Sequence, residues 1–410
     1  MLSFEEKLEK YAELAVEVGV NIQKDQTLVI RTSLFAAPFV RLITKKAYEL
    51  GAKHVHMDWS DEEVTKLKYK LAPEEAFNEF PQWIADGYEK MADQGAAFLS
   101  IAGADPDLLK GVDPNRIAAA NKASGIAMEG FRSYMTSDKV SWSIVAHPSH
   151  KWAKKVFPEL DEEQAMTKLW EAIFSATRMD EENPVDAWKK HLEVLDEKMN
   201  SLNEKNYHAL HYKSEGTDLT IELPEKHIWI SGGSTNKEGV PFVANMPTEE
   251  VFTAAKKNGV NGVVSSTKPL NYGGTLIENF SLTFKDGAVV DFTAEKGYET
   301  LKRLLETDEG ARYIGEVALV PHDSPISNAN IVFYNTLFDE NASNHLALGS
   351  AYAFSIKGGK EMNKKQLEEN DLNTSITHVD FMMGSATMDI DGLKKDGTRE
   401  PLFRKGNWAF

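Results

Sequence analysis

Near the end of the chain, the string Ser375-Ile376-Thr377-His378-Val379-Asp380-Phe381-Met382-Met383-Gly384 sets an imidazole and a carboxylate two residues apart. On a strand, alternate side chains share a face, so His378 and Asp380 point one way while Val379 and Phe381 point the other. An imidazole beside a carboxylate, backed by an apolar face, suits a metal site better than a packing surface. The expectation is that this pair holds one side of a two-metal hydrolytic centre. A cross-strand salt bridge is the plain alternative.

Three further stretches put a polar residue where packing favours an apolar one. In Gly315-Glu316-Val317-Ala318-Leu319-Val320-Pro321, Glu316 stands at the mouth of an apolar strand. A carboxylate entering a core costs several kcal/mol unless it is paired or binds a metal. An ion pair with Arg312 or Lys302 would also account for it. In Asn344-His345-Leu346-Ala347-Leu348-Gly349-Ser350-Ala351-Tyr352, His345 and Tyr352 are seven apart; if the segment is helical, they lie two turns apart on one face. His345 could equally be a satisfied histidine at a helix start. Met246-Pro247-Thr248-Glu249-Glu250-Val251-Phe252 adds a carboxylate, unless Glu249 and Glu250 only follow a Thr248 N-cap and complement a helix dipole. The other histidine groupings (His54 with His56, His147 with His150, His208 with His211) are weaker candidates.

Composition narrows the chemistry. The 410 residues exceed one core and point to two domains. The chain has no cysteine, which excludes disulfides, thiolate-held zinc and cysteine nucleophiles. Any metal must therefore be held by His, Asp, Glu or Tyr. A formal charge of −17 argues against nucleic acid and anionic membranes as partners. No apolar run is long enough to span a bilayer. The start, Met1 to Lys7, lacks the basic and apolar regions of a secretory signal, so a cytoplasmic location is expected.

The elements that must position these residues fall into two halves. Helical periodicity over Glu5–Val18 precedes a β-branched run at Thr27–Thr32. A helix over Ala37–Leu50, closed by Gly51, leads to a strand at Lys53–Asp58. That is a βαβ unit, which implies parallel strands and a right-handed crossover. Further buried strands are expected at Ala96–Ala102 and Trp142–Ala146. Residues 1–182 therefore read as an α/β domain with a doubly wound parallel sheet. Neither a Gly-x-Gly-x-x-Gly nor a phosphate loop accompanies it, so a nucleotide role has no support and the half reads as scaffold. Residues 183–206 read as a helical connector, and 207–410 as a β-rich α+β catalytic domain. Lys285-Asp286-Gly287-Ala288 forms a hairpin turn within it.

The strings PTEEVF at 247–252, GEVALVP at 315–321, HLALGSAY at 345–352 and HVDFMMG at 378–384 closely resemble the M29 family of metalloaminopeptidases. The resemblance runs the full length of the chain. It implies that Glu250, Glu316, His345, His378 and Asp380 bind two divalent metals, and that Tyr352 lies in the site. Spacing alone leaves Glu249 or Glu250 open as the ligand; the family motif favours Glu250. One departure is Ala254-Ala255, where the family pattern leads one to expect a proline. The resemblance further implies a cytosolic homodimer acting on peptides with a free N-terminus.

Such a ligand set suits hydrolysis. Three carboxylates and two neutral imidazoles offset three of the four charges of two divalent ions, and a bridging hydroxide completes neutrality. Oxygen and imidazole donors suit zinc, cobalt or manganese. In this reading Glu316 or Glu250 shuttles the proton to the leaving amine, and Tyr352 donates to the oxyanion or completes a coordination sphere. Two alternatives remain at this point. One is another dinuclear hydrolase cutting amides or phosphate esters. The other is a two-domain small-molecule binding protein, which would retain no divalent metal and gain no activity on adding one.

Overall fold

The computed structural model describes residues 2–272 and 275–410. Thr27–Ser33, His54–Ser60, Ala97–Ala102 and Trp142–Ala146 form a parallel sheet, with the second strand on one side of the first and the third and fourth on the other. Reversing direction at the first strand carries the crossovers to both faces, which is the doubly wound arrangement. On one face, Val29 and Phe98 pack with Tyr88 and Ala92 of the helix Gln82–Asp93 and with Phe131 of Glu129–Thr136. By alternation, Leu28, Ile30 and Leu99 are buried on the other face. Tyr11 of the helix Phe4–Leu14 stacks on Phe39 of Ala37–Glu49 at 5.1 Å, and its hydroxyl accepts the Ala146 amide at 2.9 Å.

The chain divides into two compact units, one running up to Lys190 together with Gly233–Pro247, the other comprising His191–Gly232 and Thr248–Phe410. The long helix Pro184–Lys205 is thus apportioned between them. The excursion 233–247 joins the first unit through backbone pairing. The Ile144 amide donates to the Ala244 carbonyl at 2.8 Å, and the Met246 amide to the Ile144 carbonyl at 2.9 Å.

The second unit is strand-rich. One large, antiparallel sheet runs from Leu270–Tyr272 to Asn407–Trp408 and contains the hairpin closed at Asp286-Gly287. A four-stranded antiparallel sheet has the order His378–Met382, His345–Gly349, Ile314–Leu319, Val251–Ala254. One face of it, carrying Val251, Val317, Leu319, Leu346, Leu348 and Phe381, belongs to the hydrophobic core of this unit. The segment after Asn344 is therefore a strand and not a helix. Leu346 and Leu348 alternate into the core, which leaves His345, Ala347 and Gly349 on the opposite face. Among the described residues no helix is long and apolar enough to cross a membrane.

Candidate metal centre

Cross-strand register places the chemistry. Glu316 lies opposite Ala347, and Ala347 opposite Asp380; His345 lies between Ala318 and Met382, and His378 faces Gly349. All these residues occupy the face turned away from the core. Ala347, between the two carboxylate positions, covers that floor with only a methyl group. Glu316 reaches this face through a β-bulge. Ile314 pairs with Leu348 but Glu316 pairs with Ala347, so Gly315 is an extra residue. Without the bulge, Glu316 would point into the leucine core. A Cβ on Gly315 would come within 2.4 Å of the Gly349 carbonyl oxygen, so only glycine fits. Gly349 itself has φ +111°, and a Cβ there would meet the Thr377 carbonyl oxygen at 2.2 Å.

The face gathers two triads, Glu250–Glu316–His345 and Glu316–His378–Asp380, whose ligand atoms within each lie within 4.8 Å of one another. His345 Nε2 is 3.1 Å from Glu250 Oε2 and 3.8 Å from Glu316 Oε1. His378 Nε2 is 3.7 Å from Glu316 Oε2 and 3.6 Å from Asp380 Oδ1. The Glu316 carboxylate thus turns one oxygen to each triad. Both rings are oriented from behind by main-chain acceptors: His345 Nδ1 lies 3.2 Å from the Ser343 carbonyl, and His378 Nδ1 lies 2.7 Å from that of Ser350. Such contacts leave each Nε2 directed at the carboxylates.

Glu316 has the two histidines as ion-pair partners, and neither Arg312 nor Lys302 pairs with it among the described residues. Val251–Ala254 is a strand, so Glu249 and Glu250 open no helix. The two glutamates also part company. Glu250 enters the cluster, whereas the Glu249 carboxylate lies 3.6 Å from His191 and its amide donates to Asn341. His54 and His56 are exposed on their strand, His150 pairs with Glu162, and His211 pairs with Asp218.

Glu250, Glu316 and His345 are 8, 6 and 1% exposed, a burial that isolated charges do not tolerate. Burial, with the charges of Asp380 and Glu250, pushes the Glu316 carboxyl well above the usual range. Burial alone would lower His345, but the hydrogen bond and charge of Glu250, with Asp380 and Glu316, carry it to about 10. A proton on His345 here compensates a surplus of carboxylate. Glu316 Oε2 and Asp380 Oδ1 are buried and have no hydrogen-bond partner. Both orphaned anionic oxygens belong to the second triad, and a cation there would satisfy them. The residues fit a divalent-metal pair.

Tyr352 packs over the second triad, its ring 4.6 Å from that of His378 and stacked on Phe354 at 5.0 Å. Burial first, then the charges of Glu316, Asp380, Glu340 and Glu250, hold its phenol above the ordinary range, which keeps the O–H donor. Glu340 was not reached from the sequence. It opens the short turn Glu340–Ala342, and burial with the charges of Asp380 and Glu250 pushes its carboxyl up. Preceding it, the Asp339 carboxylate accepts the Phe333 and Asn335 amides at 2.8 and 3.1 Å. The only advance signal was the polar run Asp339-Glu340-Asn341 just ahead of the HLALG strand.

Known proteins resemble this chain over nearly its whole length. The profile of the family described as Thermophilic metalloprotease (M29) matches residues 4–408. The chain is 62% identical to Aminopeptidase AmpS of Bacillus subtilis (strain 168) over 100% of both. It is 55% identical to Aminopeptidase 2 of Geobacillus stearothermophilus, over 100% of this chain and 99% of the relative. Among solved structures, wild-type AmpT from Thermus thermophilus superposes with a TM-score of 0.95 at 44% identity, covering 100% of both chains.

Proposed function

The chain belongs to the M29 peptidase family and is a metal-dependent aminopeptidase, and from that premise we propose that Glu250, Glu316 and His345 hold one divalent ion and Glu316, His378 and Asp380 a second. The observation that carries this reading is the shared Glu316, with one carboxylate oxygen turned to each triad. Two ions of the zinc, cobalt or manganese class would polarise the scissile carbonyl and acidify water at neutral pH.

The chain's own residues do the rest. In the reaction the peptide C–N bond breaks, the hydroxyl of water goes to the carbonyl carbon, and a proton goes to the leaving amine. Tyr352, a donor beside the second triad, supplies a hydrogen bond to the developing oxyanion or completes that triad's coordination. Glu250 or Glu316 carries the proton, and Glu340, near both triads but a member of neither, is a third carrier by position. The surplus of carboxylates also favours a substrate with a free ammonium group. A cytosolic homodimer acting on such peptides belongs to the same proposal.

The test combines metal analysis with a panel of amino-acid anilides and short peptides, assayed with and without chelator. Two bound ions per chain, activity lost on chelation and restored by zinc, cobalt or manganese, and no cleavage of N-blocked peptides are expected. A protein that retains one ion at full activity would overturn the two-metal assignment. Equal cleavage of blocked and free peptides would overturn the exopeptidase step.

A further inference from the structure

Behind His378, one buried amide grips the turn whose carbonyl aims the ring. Asn373 has no exposed surface and stands in the irregular segment that leads into the strand His378–Met382. Its Nδ2 donates to the Gly349 carbonyl at 2.6 Å, and its main-chain carbonyl accepts the Ala351 amide at 2.9 Å. Between these two contacts lies Ser350, whose carbonyl meets His378 Nδ1 at 2.7 Å. The Ser350 amide in turn donates to the Thr377 carbonyl at 2.7 Å. The second Nδ2 hydrogen goes to the Gly310 carbonyl at 2.8 Å, in the short turn Glu309–Arg312. Both partners of Nδ2 are carbonyl oxygens, so the amide stands this way round and not flipped. That leaves Asn373 Oδ1 buried with no hydrogen-bond partner. A side chain present only to fill space would not carry an orphaned acceptor, because burying one costs free energy.

We propose that Asn373 is a positioning residue for the second triad, holding the Gly349–Ala351 turn so that the Ser350 carbonyl directs His378 Nε2 at Glu316 and Asp380. The inference rests on the two-metal reading of the site. Two neighbours confine the same assembly. Gly315 abuts the turn, since a Cβ there would lie 2.5 Å from the Ser350 carbonyl oxygen. Asp308 ties down the chain between Asn373 and His378 by accepting the Ser375 hydroxyl at 2.7 Å and the Ile376 amide at 2.8 Å. The first triad is held differently. His345 leans on the Ser343 carbonyl, and Asn373 has no hydrogen bond to Glu250 or His345 among the described residues. Loss of the Asn373 amide therefore acts on one ion and not on the other.

The experiment titrates the metal-free, full-length protein with cobalt against a competing chelator, giving two dissociation constants. In Asn373→Ala one constant should rise about 10–100-fold while the other stays within about threefold, the range expected when a residue orienting a ligand is lost. The constant that moves should be the one that His378→Ala abolishes. Asn373→Ser, whose hydroxyl reaches at most one of the two carbonyls, should shift the same constant less and carries the test if the alanine variant does not fold. Leu402→Ala, which truncates a core side chain on the large sheet, controls for lowered stability and should leave both constants within about threefold. Constants that are both unchanged in the Asn373 variants overturn the proposal. So do constants that rise together, a shift confined to the ion that survives in His378→Ala, or the same one-sided shift in Leu402→Ala. In those cases the two-metal reading stands. A parent that binds a single ion overturns both.

Discussion

The two four-stranded sheets of this molecule are each associated with a buried histidine, and the two environments are opposites. At the end of the parallel sheet, His147 sits edge-on to Trp170 at 4.8 Å, with Phe35 and Phe39 nearby, and its Nδ1 meets the Pro148 carbonyl. Burial drives its pKa to about 4, so it is neutral and satisfied. On the four-stranded antiparallel sheet of the second unit, His345 is more deeply buried still, yet its carboxylate neighbours carry it to about 10. Burying a polar residue does not by itself mark a site. What marks one is burial among other polar atoms that remain unpaired, as Glu316 Oε2 and Asp380 Oδ1 do.

The contrast breaks most sharply at Glu316. Glu316→Gln keeps the size of the side chain but removes the charge shared by both triads. Outer-shell changes at metal sites already cost about 10–100-fold. The loss of this carboxylate should exceed that in activity and reduce bound metal below two ions per chain, read by elemental analysis after dialysis. A variant that keeps both ions and most of its turnover would show that Glu316 is an ordinary buried ion pair. Tyr352→Phe comes next. If its hydroxyl donates to the oxyanion, turnover should fall about 10²–10³-fold with metal content unchanged. Loss of metal instead would make Tyr352 a ligand.

Gly349→Ala probes the scaffold under the site. The added Cβ would collide with the Thr377 carbonyl at a backbone conformation that L-residues rarely adopt, and Gly349 is the cross-strand partner of His378. A stability loss of about 1–3 kcal/mol is expected, with weaker metal binding at the second triad. Denaturant unfolding and metal titration measure the two effects. Full stability in this variant would mean that the strands can separate there without disturbing His378.

These two regions were also legible to different degrees. The parallel sheet announced itself, because its strands are local apolar runs bounded by helices. All four fall within a residue or two of their expected limits. The pairing of 233–247 with Ile144 was not legible, since it depends on residues a hundred positions apart. In the site, the two-residue spacing of His378 and Asp380 revealed a common face. The same alternation in His345-Leu346-Ala347-Leu348-Gly349 was available, but the seven-residue spacing to Tyr352 also suited a helix. Glu316 could be flagged as out of place, yet the direction it takes depends on the bulge at Gly315, and no periodicity encodes an extra residue. Glu340 lies in a turn of polar residues, and only its neighbours in space distinguish it from a solvated loop.

The smallest effect tests the quiet half of the comparison. His147 takes up its proton at about 4 in the folded protein, against an ordinary value of 6.5. The unfolded chain therefore binds more protons between those limits, and stability rises with pH across that window. The contribution is complete above pH 6.5, declines as the pH falls, and is fully lost below about 4. At pH 5 the loss is about 2 kcal/mol, from 1.36 kcal/mol per unit of pKa difference realised at that pH. Replacing His147 by Asn should remove this slope while leaving aminopeptidase turnover at neutral pH unchanged, because His147 lies in the other unit from the two triads. Hydrogen exchange of the Val145 and Ala146 amides at pH 7 and pH 5 would report it locally. If the variant kept the parent's full pH dependence, the acid sensitivity would originate elsewhere. The histidine of the parallel sheet would then be no more than a packed ring, and the comparison between the two buried histidines would lose one of its terms.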